Sequence, residues 1–169
     1  MGSGMELDPQ RSPLVPGYHI KRGSSLDRAQ VVKFMQRTYQ ERHPDRSFGH
    51  LAQTVDQYLS SDTPLWWALA NPEDGSAQDP TPVAGVWAGN AIDQITGDRH
   101  AHIFLLYVMP DHRRRGLGRA LMQQVEIWSQ QRGDRQVGLQ VFSDNQPALH
   151  LYQTLGYRAQ SLWMVKPLT

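Results

Sequence analysis

The chain has 169 residues, 39% of them hydrophobic, and a net charge of +1 from 17 basic and 16 acidic side chains. That length suits one domain with a real core, and so balanced a charge implies no polyanionic partner for the chain as a whole. There is no cysteine, which excludes structural disulfides, thiolate metal sites and a cysteine nucleophile.

No apolar run approaches the ~20 residues needed to span a bilayer, and the start lacks a basic-then-apolar leader. The expectation is a cytoplasmic protein with no membrane partner. Residues 1–4, followed by a second methionine at Met5, read as a tag remnant and are set aside. Residues 1–16 carry three prolines and little apolar pattern, so they are expected to form a loose arm ahead of one domain over 17–169.

Taken in order, Tyr18–Arg22 predicts a short strand. Residues 27–42 have helical spacing, with Leu26, Val31, Phe34, Met35 and Tyr39 on the apolar face until Pro44 breaks it. A second helix is predicted over 50–59, with Leu51, Val55, Tyr58 and Leu59 inward. Strands are expected at Leu65–Ala70 and 83–91, joined by an exposed loop over 71–82 rich in Pro, Asp, Gly and Ser. A turn at 94–98 leads into a central strand that ends near Val108, giving an antiparallel meander.

A helix over 117–132 places Leu117, Leu121, Val125 and Trp128 on one stripe, with Gly133 as its C-terminal cap. Residues 137–142 alternate as a strand. Ser143, Asp144 and Asn145 offer N-caps for a helix that tolerates Pro147 in its first turn and ends at Gly156. Residues 157–166 are expected to supply a last strand or hairpin. No repeat or second domain is evident.

The most informative stretch is 102–121, which reads as strand, turn and helix. Its turn, Arg113-Arg114-Arg115-Gly116-Leu117-Gly118, places glycines where backbone amides can be bared and arginines where charge can be neutralised. Together with a helix N-terminus, that is an anion site suited to a pyrophosphate. A solvated basic turn is the bland alternative. A nucleic-acid surface would need a wider basic face with interleaved aromatics, whereas the following helix carries Glu126, so no nucleic-acid partner is expected. A dinucleotide fold would need a third glycine, but position 121 is leucine.

The same residues resemble the GNAT superfamily of N-acetyltransferases. Arg113 to Gly118 matches its Arg/Gln-x-x-Gly-x-Gly/Ala signature, Leu106-Tyr107-Val108 fits the Leu-x-Val of the preceding strand, and 145–157 fits its Asn-x-x-Ala-x-x-x-Tyr-x-x-x-Gly-Phe/Tyr helix. The resemblance implies a single α/β domain with a mixed, mostly antiparallel sheet of about six or seven strands, flanked by about four helices. The sheet would splay between the strand ending at Val108 and the one starting near Val137.

It also implies acetyl-CoA as donor. Leu106, Tyr107 and Val108 would meet the donor through strand backbone, with the Val108 amide polarising its carbonyl. Backbone amides over 115–120, including those of Gly116, Leu117, Gly118, Arg119 and Ala120, would meet the phosphates. The side chains of Arg113, Arg115 and Arg119, with Arg114 in the same run, are candidates for phosphate pairing. Tyr152 matches the tyrosine that protonates the leaving thiolate. Asn145 reads as a cap or a donor-side hydrogen bond. His102, with an ordinary pKa of ~6.5, is the candidate base; a strand bulge would change which face it shares with Leu106 and Val108. His100 and His102 lack a third ligand at metal spacing, so no metal site is expected.

The function implied is acetyl transfer to a primary amine by direct attack. A small-molecule acceptor is expected, in a pocket to which Trp66, Trp67 and Trp87 contribute aromatics, although core packing explains most of them. A protein or peptide amine, and a non-catalytic acyl-CoA-binding module, remain as alternatives. A homodimer follows from the resemblance alone.

Overall fold

The computed structural model describes residues 15–73 and 81–169. The expected arm at 1–16 and the expected loop at 71–82 fall largely outside those residues. Among the described residues the chain divides into a larger unit reaching Leu139 and a smaller one, Gln140–Thr169.

The larger unit is built on a five-stranded sheet in the order β1-β2-β3-β4-β5. The strands are β1 (Tyr18–Arg22), β2 (Leu65–Ala70), β3 (Ala84–Ile92), β4 (Arg99–Val108) and β5 (Val137–Leu139). The first four form the expected antiparallel meander, and β5 joins β4 in parallel. Helices α1 (Arg28–Arg42), α2 (Leu51–Tyr58) and α3 (Leu117–Gln131) belong to this unit, and α4 (Gln146–Thr154) to the smaller one. Each helix lies within about two residues of its predicted bounds, because capping residues and prolines mark the ends.

The meander is buried on both faces. Leu65, Trp67 and Leu69 of β2, Trp87 of β3 and Leu105 and Tyr107 of β4 pack against Val31, Phe34 and Met35 of α1 and Leu51 and Val55 of α2. The alternate residues turn the other way, where α3 packs and the Trp66 and Trp128 rings meet edge to face with centroids 6.0 Å apart. Burial on both faces explains why β2 reads LWWALA, a continuous apolar run rather than an alternating one.

Several expectations change. The sheet has five strands, not six or seven, because residues 157–169 form no strand. Their unit holds one helix and no strand. That leaves Leu162, Trp163, Met164, Val165 and Leu168 exposed. The ladder at β5 stops after three residues. Leu26 is 92% exposed, since it sits in a 3-10 turn before α1 rather than on the helix face. There Ser24 and Asp27 form a capping box, and the Asp27 carboxylate also accepts from Trp67 Nε1 at 3.0 Å. Tyr58 is half exposed and lays its ring 5.5 Å from that of Phe104. Gly133 and Gly156 take positive φ at the ends of α3 and α4, as helix-terminating glycines do.

One close approach shows how tightly the α1 face is packed. A Cβ on Gly85 would lie 2.5 Å from the Trp67 ring. We expect Gly85→Ala to lower stability by about 1–3 kcal/mol, the usual cost of overpacking a core. A denaturant midpoint equal to that of the parent would refute this account of the β2–β3 contact.

Candidate functional site

Hydrogen-bond parity decides what the end of β4 can offer. The Met109 amide donates to the Val83 carbonyl at 2.9 Å, and Tyr107 and Leu105 lie opposite Gly85 and Trp87. In an antiparallel ladder the bonding residues alternate. Leu105, Tyr107 and Met109 therefore bond toward β3, while Leu106 and Val108 direct their N–H and C=O groups to the opposite edge. The Val108 carbonyl confirms this, accepting from Arg113 Nε at 2.8 Å. β5 covers that edge only from Ala101 to Ile103. Beyond it, Leu106 and Val108 present amides to an edge that β5 leaves unpaired, which is the expected splay seen from the β4 side.

A bulge lies in the same strand. Trp87 pairs with Leu105 but Ala88 pairs with Ile103, so Phe104 is an extra residue. Phe104 consequently joins Leu105 on the α1 face, where its ring lies 4.9 Å from Trp87 and 5.8 Å from His102. His102 thus shares a face with Leu105 and Tyr107, not with the side chains of Leu106 and Val108. His100 lies alongside, since both imidazoles approach the position of a Cβ on Gly138. Burial, and then the neighbouring His100, hold the His102 pKa below its ordinary value, so the ring is neutral at pH 7. His100 is itself buried, its Nδ1 2.9 Å from the Ala101 carbonyl oxygen.

After β4 the chain makes a 3-10 turn, Pro110–His112, and then the glycine turn. Two residues of that turn are left-handed: Arg114 at φ 60° and Gly116 at φ 86°. Arg114 is the one non-glycine residue with positive φ among the described residues. Gly116 caps α3, and no side chain bonds the helix end. The first helical bond runs from the Ala120 amide to the Gly116 carbonyl at 3.0 Å. The amides of Leu117, Gly118 and Arg119 therefore precede the helical ladder and point outward. With the macrodipole they form an anion cradle.

The arginines divide their work. Arg113, besides its bond to Val108, pairs with Glu41 at 2.7 Å and lies over the Tyr107 ring. These bonds tie the turn to β4 and α1, and the phosphate pairing expected of Arg113 would compete with them. Arg115 donates to Tyr18 Oη at 3.1 Å, and Tyr18 in turn meets His112 Nδ1 at 2.8 Å. Arg114 and Arg119 are exposed at the turn. Arg119 also acts on Glu126, whose carboxyl burial pushes up to about 7 despite that arginine. Leu117 and Ala120 bury their side chains in the core, leaving only backbone for a ligand.

Tyr107 buries its ring and donates from its hydroxyl to Glu41 Oε1 at 2.6 Å. Burial, with that bond second, pushes its phenol up to about 12. Glu41, Tyr18 and His112 were missed by sequence reasoning. No motif marks them, and Glu41 lies 72 residues from Arg113 in the chain. The three tryptophans are also placed differently from the pocket expectation. Trp66, Trp67 and Trp87 are 4%, 3% and 1% exposed and belong to the core.

In the smaller unit, Asn145 is a helix cap, its side chain accepting from the Ala148 amide at 3.4 Å. Tyr152 lies on α4 with its ring edge to face with Tyr157 at 5.9 Å. Burial pushes its phenol up to about 12. Among the described residues no cluster of side chains suits a metal ion, and no helix is long and apolar enough to cross a membrane.

The bared amides, the two left-handed residues and the open β4 edge fit a donor that carries a pyrophosphate and an amide-rich arm. A Cβ on Gly116 would meet nothing within 4 Å, so its glycine serves conformation, not space. We expect Gly116→Ala to destabilise the protein by about 1–2 kcal/mol, the cost of a left-handed alanine. Arg114→Gly should relieve a similar strain, offset by its greater unfolded-state entropy. Equal thermal midpoints for Gly116→Ala and the parent would show that the turn is not held in this conformation in solution.

A family model of the acetyltransferase (GNAT) family matches residues 29–157. A [ribosomal protein bS18]-alanine N-acetyltransferase of Escherichia coli (strain K12) is 36% identical over 78 residues, which are 46% of this chain and 52% of that protein. An L-amino acid N-acyltransferase, MnaT, of the same strain is 31% identical over 106 residues, covering 60% and 62%. The chain spans about half the length of the first of these relatives. Among solved structures, an aminoglycoside N-acetyltransferase in complex with CoA superposes with TM-score 0.66 at 16% identity, covering 92% of this chain and all of that one. A ribosomal-protein-alanine N-acetyltransferase from Brucella melitensis biovar Abortus 2308 gives 0.63 at 17% identity, covering 90% and 99%. Those two likenesses concern the fold. The family match extends from the second residue of α1 to beyond α4, and on it the chain belongs to the GNAT acetyltransferase family.

Proposed function

We propose that this protein is an N-acetyltransferase that moves an acetyl group from acetyl-CoA to a primary amine by direct attack. The observation that carries this reading is the juxtaposition at the end of β4. There the edge amides of Leu106 and Val108 lead, through the Pro110–His112 turn, to two left-handed residues and a helix N-terminus that no side chain bonds. One segment thus offers hydrogen bonds for an extended arm and a cradle for a pyrophosphate. Acetyl-CoA supplies the activated thioester carbonyl.

In this reading the Leu106 backbone pairs with the pantetheine arm, and the Val108 amide donates to the carbonyl oxygen. A donor so placed contributes a few kcal/mol to acyl transfer. The amides of Leu117, Gly118 and Arg119 take the phosphates, with Arg114, Arg115 and Arg119 adding charge. Nitrogen–carbon bond formation and carbon–sulfur cleavage leave one proton to be removed from the amine and one to be delivered to sulfur. His102, neutral at pH 7, accepts the first, and Tyr152, protonated throughout the useful range, delivers the second. With no cysteine in the chain, direct attack is the simpler route.

The acceptor we favour is a small-molecule amine, in a cytoplasmic setting. An L-amino acid N-acyltransferase among the similar proteins supports that class. A peptide amine is the second reading, favoured by two features: the three tryptophans are buried rather than lining a pocket, and a relative is named for a ribosomal protein.

Calorimetric titration with acetyl-CoA, free CoA and NAD tests the donor first. Selective binding of acetyl-CoA and CoA is expected, and equal or absent binding of all three would sink the proposal. Amines and N-terminal peptides can then be screened by thiol release. Tyr152→Phe should lower kcat by about 100-fold or more while keeping donor affinity. Full activity in that variant would remove the tyrosine from the mechanism.

The pH–rate profile follows from the two shifts. His102 has a lowered pKa, so activity should fall only below its ordinary ~6.5, as the ring becomes protonated. Tyr152, raised to about 12, should cause no alkaline fall below ~pH 10. His102→Ala should lose the acid limb; a limb that persists there would assign the base elsewhere.

A further inference from the structure

Glu41 closes α1 at its C-terminal end, outside both motifs that mark the family, yet it touches the glycine turn. Its Oε1 and Oε2 accept from one Arg113 nitrogen at 3.0 and 2.7 Å. Oε1 also accepts from the Tyr107 hydroxyl at 2.6 Å. The same guanidinium donates through Nε to the Val108 carbonyl at 2.8 Å. One carboxylate thus joins α1, the β4 side chain beside Val108, and the first residue of the turn.

The next residue in the chain is Arg114, which is left-handed without being glycine. Left alone, such a residue relaxes to negative φ. The turn is held on one side by Gly116 and the start of α3, and on the other by Arg113. If Arg113 is released, nothing in its own side chain keeps Arg114 left-handed, and the amides after it lose their direction.

We infer that Glu41 is a positioning residue for donor binding, acting through Arg113 to hold the turn over 113–118 against the end of β4. The inference rests on the donor reading above, but its structural half can be read without any donor. The side chains of Glu41 and Arg113 are 39% and 44% exposed. Exposed ion pairs add little to global stability, so the effect is local. Lysine cannot replace the arginine here, because a single ammonium cannot span the Val108 carbonyl and the carboxylate as the planar fork does.

The test uses the full chain with Glu41→Gln, Glu41→Asp, Arg113→Met and the Glu41→Gln/Arg113→Met double variant. Amide chemical shifts of Gly116, Gly118 and Arg119, and hydrogen exchange at the bonded amides of Arg113 and Ala120, which donate to the Pro110 and Gly116 carbonyls, are followed in ligand-free protein, beside thermal midpoints. Acetyl-CoA dissociation constants are then measured by calorimetry. Glu41→Gln should move the three turn resonances and speed exchange at the bonded Arg113 and Ala120 amides about tenfold, with the midpoint nearly unchanged, and weaken acetyl-CoA binding five- to tenfold. Glu41→Asp, which keeps the charge but withdraws it by one methylene, should act in the same direction. In the Arg113→Met background, Glu41→Gln should have no further effect.

Unchanged exchange and affinity in both Glu41 variants would overturn the inference, as would an undiminished effect of Glu41→Gln in the double variant. Faster exchange in a protein whose parent does not bind acetyl-CoA would uphold the positioning role and reject the donor reading.

Discussion

A single guanidinium constrains most of what the larger unit can do. Arg113 sits where β4 ends and the glycine turn begins, and it bonds backward to Val108 and sideways to Glu41. A charged hydrogen bond of this kind is shorter and stronger than a neutral one, and two directions at once fix a plane as well as a distance. The turn is consequently not a free loop between two regular elements. It is referenced to the carbonyl next to the amide that, in the proposed reaction, faces the donor. An error in one propagates to the other, which is what a site assembled from backbone groups requires.

The division of labour in β4 follows from burial on both faces. Its side chains are used for packing: Leu105 and Tyr107 toward α1 and α2, their alternates toward α3. At the end of the strand, what remains for a ligand is the backbone of Leu106 and Val108, on the edge that β5 fails to cover. The parallel ladder stops at Ile103 and Leu139, and β4 continues with its β3 bonds intact. A strand kept rigid by one neighbour can present amides on its other side without losing its own shape. The Phe104 bulge falls just where the β5 ladder has ended. It turns His102 toward the α1 face while the edge amides beyond it keep their direction.

Much of this was legible in the sequence because local chemistry specified it. Pro110, the paired glycines and the helix-forming residues after them mark strand, turn and helix without reference to distant residues. The antiparallel meander was legible because its turns are rich in breakers. Contacts across long separations were not. Glu41 has the composition of any exposed helix glutamate, and only the fold brings it to Arg113. The role expected for Arg113 followed its charge, but its nearest partners, a carboxylate and a carbonyl, had first claim on its donors. The bulge left no sequence signal, since Ile103, Phe104, Leu105 and Leu106 are all apolar and either parity satisfies a doubly buried strand. Residues 157–166 failed as a strand for the complementary reason. An apolar, β-prone run specifies a strand only when another strand is available to pair with it.

The two raised tyrosines show why burial alone does not identify an acid. Tyr107 and Tyr152 are both pushed up to about 12, with burial as the leading cause in each. Tyr107 already donates a hydrogen bond to Glu41, so its hydroxyl is occupied and its place is structural. For Tyr152 burial is the whole cause. Against a free thiol of pKa ~8.5, a phenol near 12 is a poor donor, by about 5 kcal/mol if both are referred to water. That comparison overstates the mismatch, because the desolvation that raises a phenol also raises a thiol brought beside it. What the proposed step needs is a hydroxyl that stays protonated at every working pH and bonds to sulfur as charge develops there. A phenol with a raised pKa meets that demand better than one with an ordinary pKa, whose proton begins to be lost as the pH nears ~10.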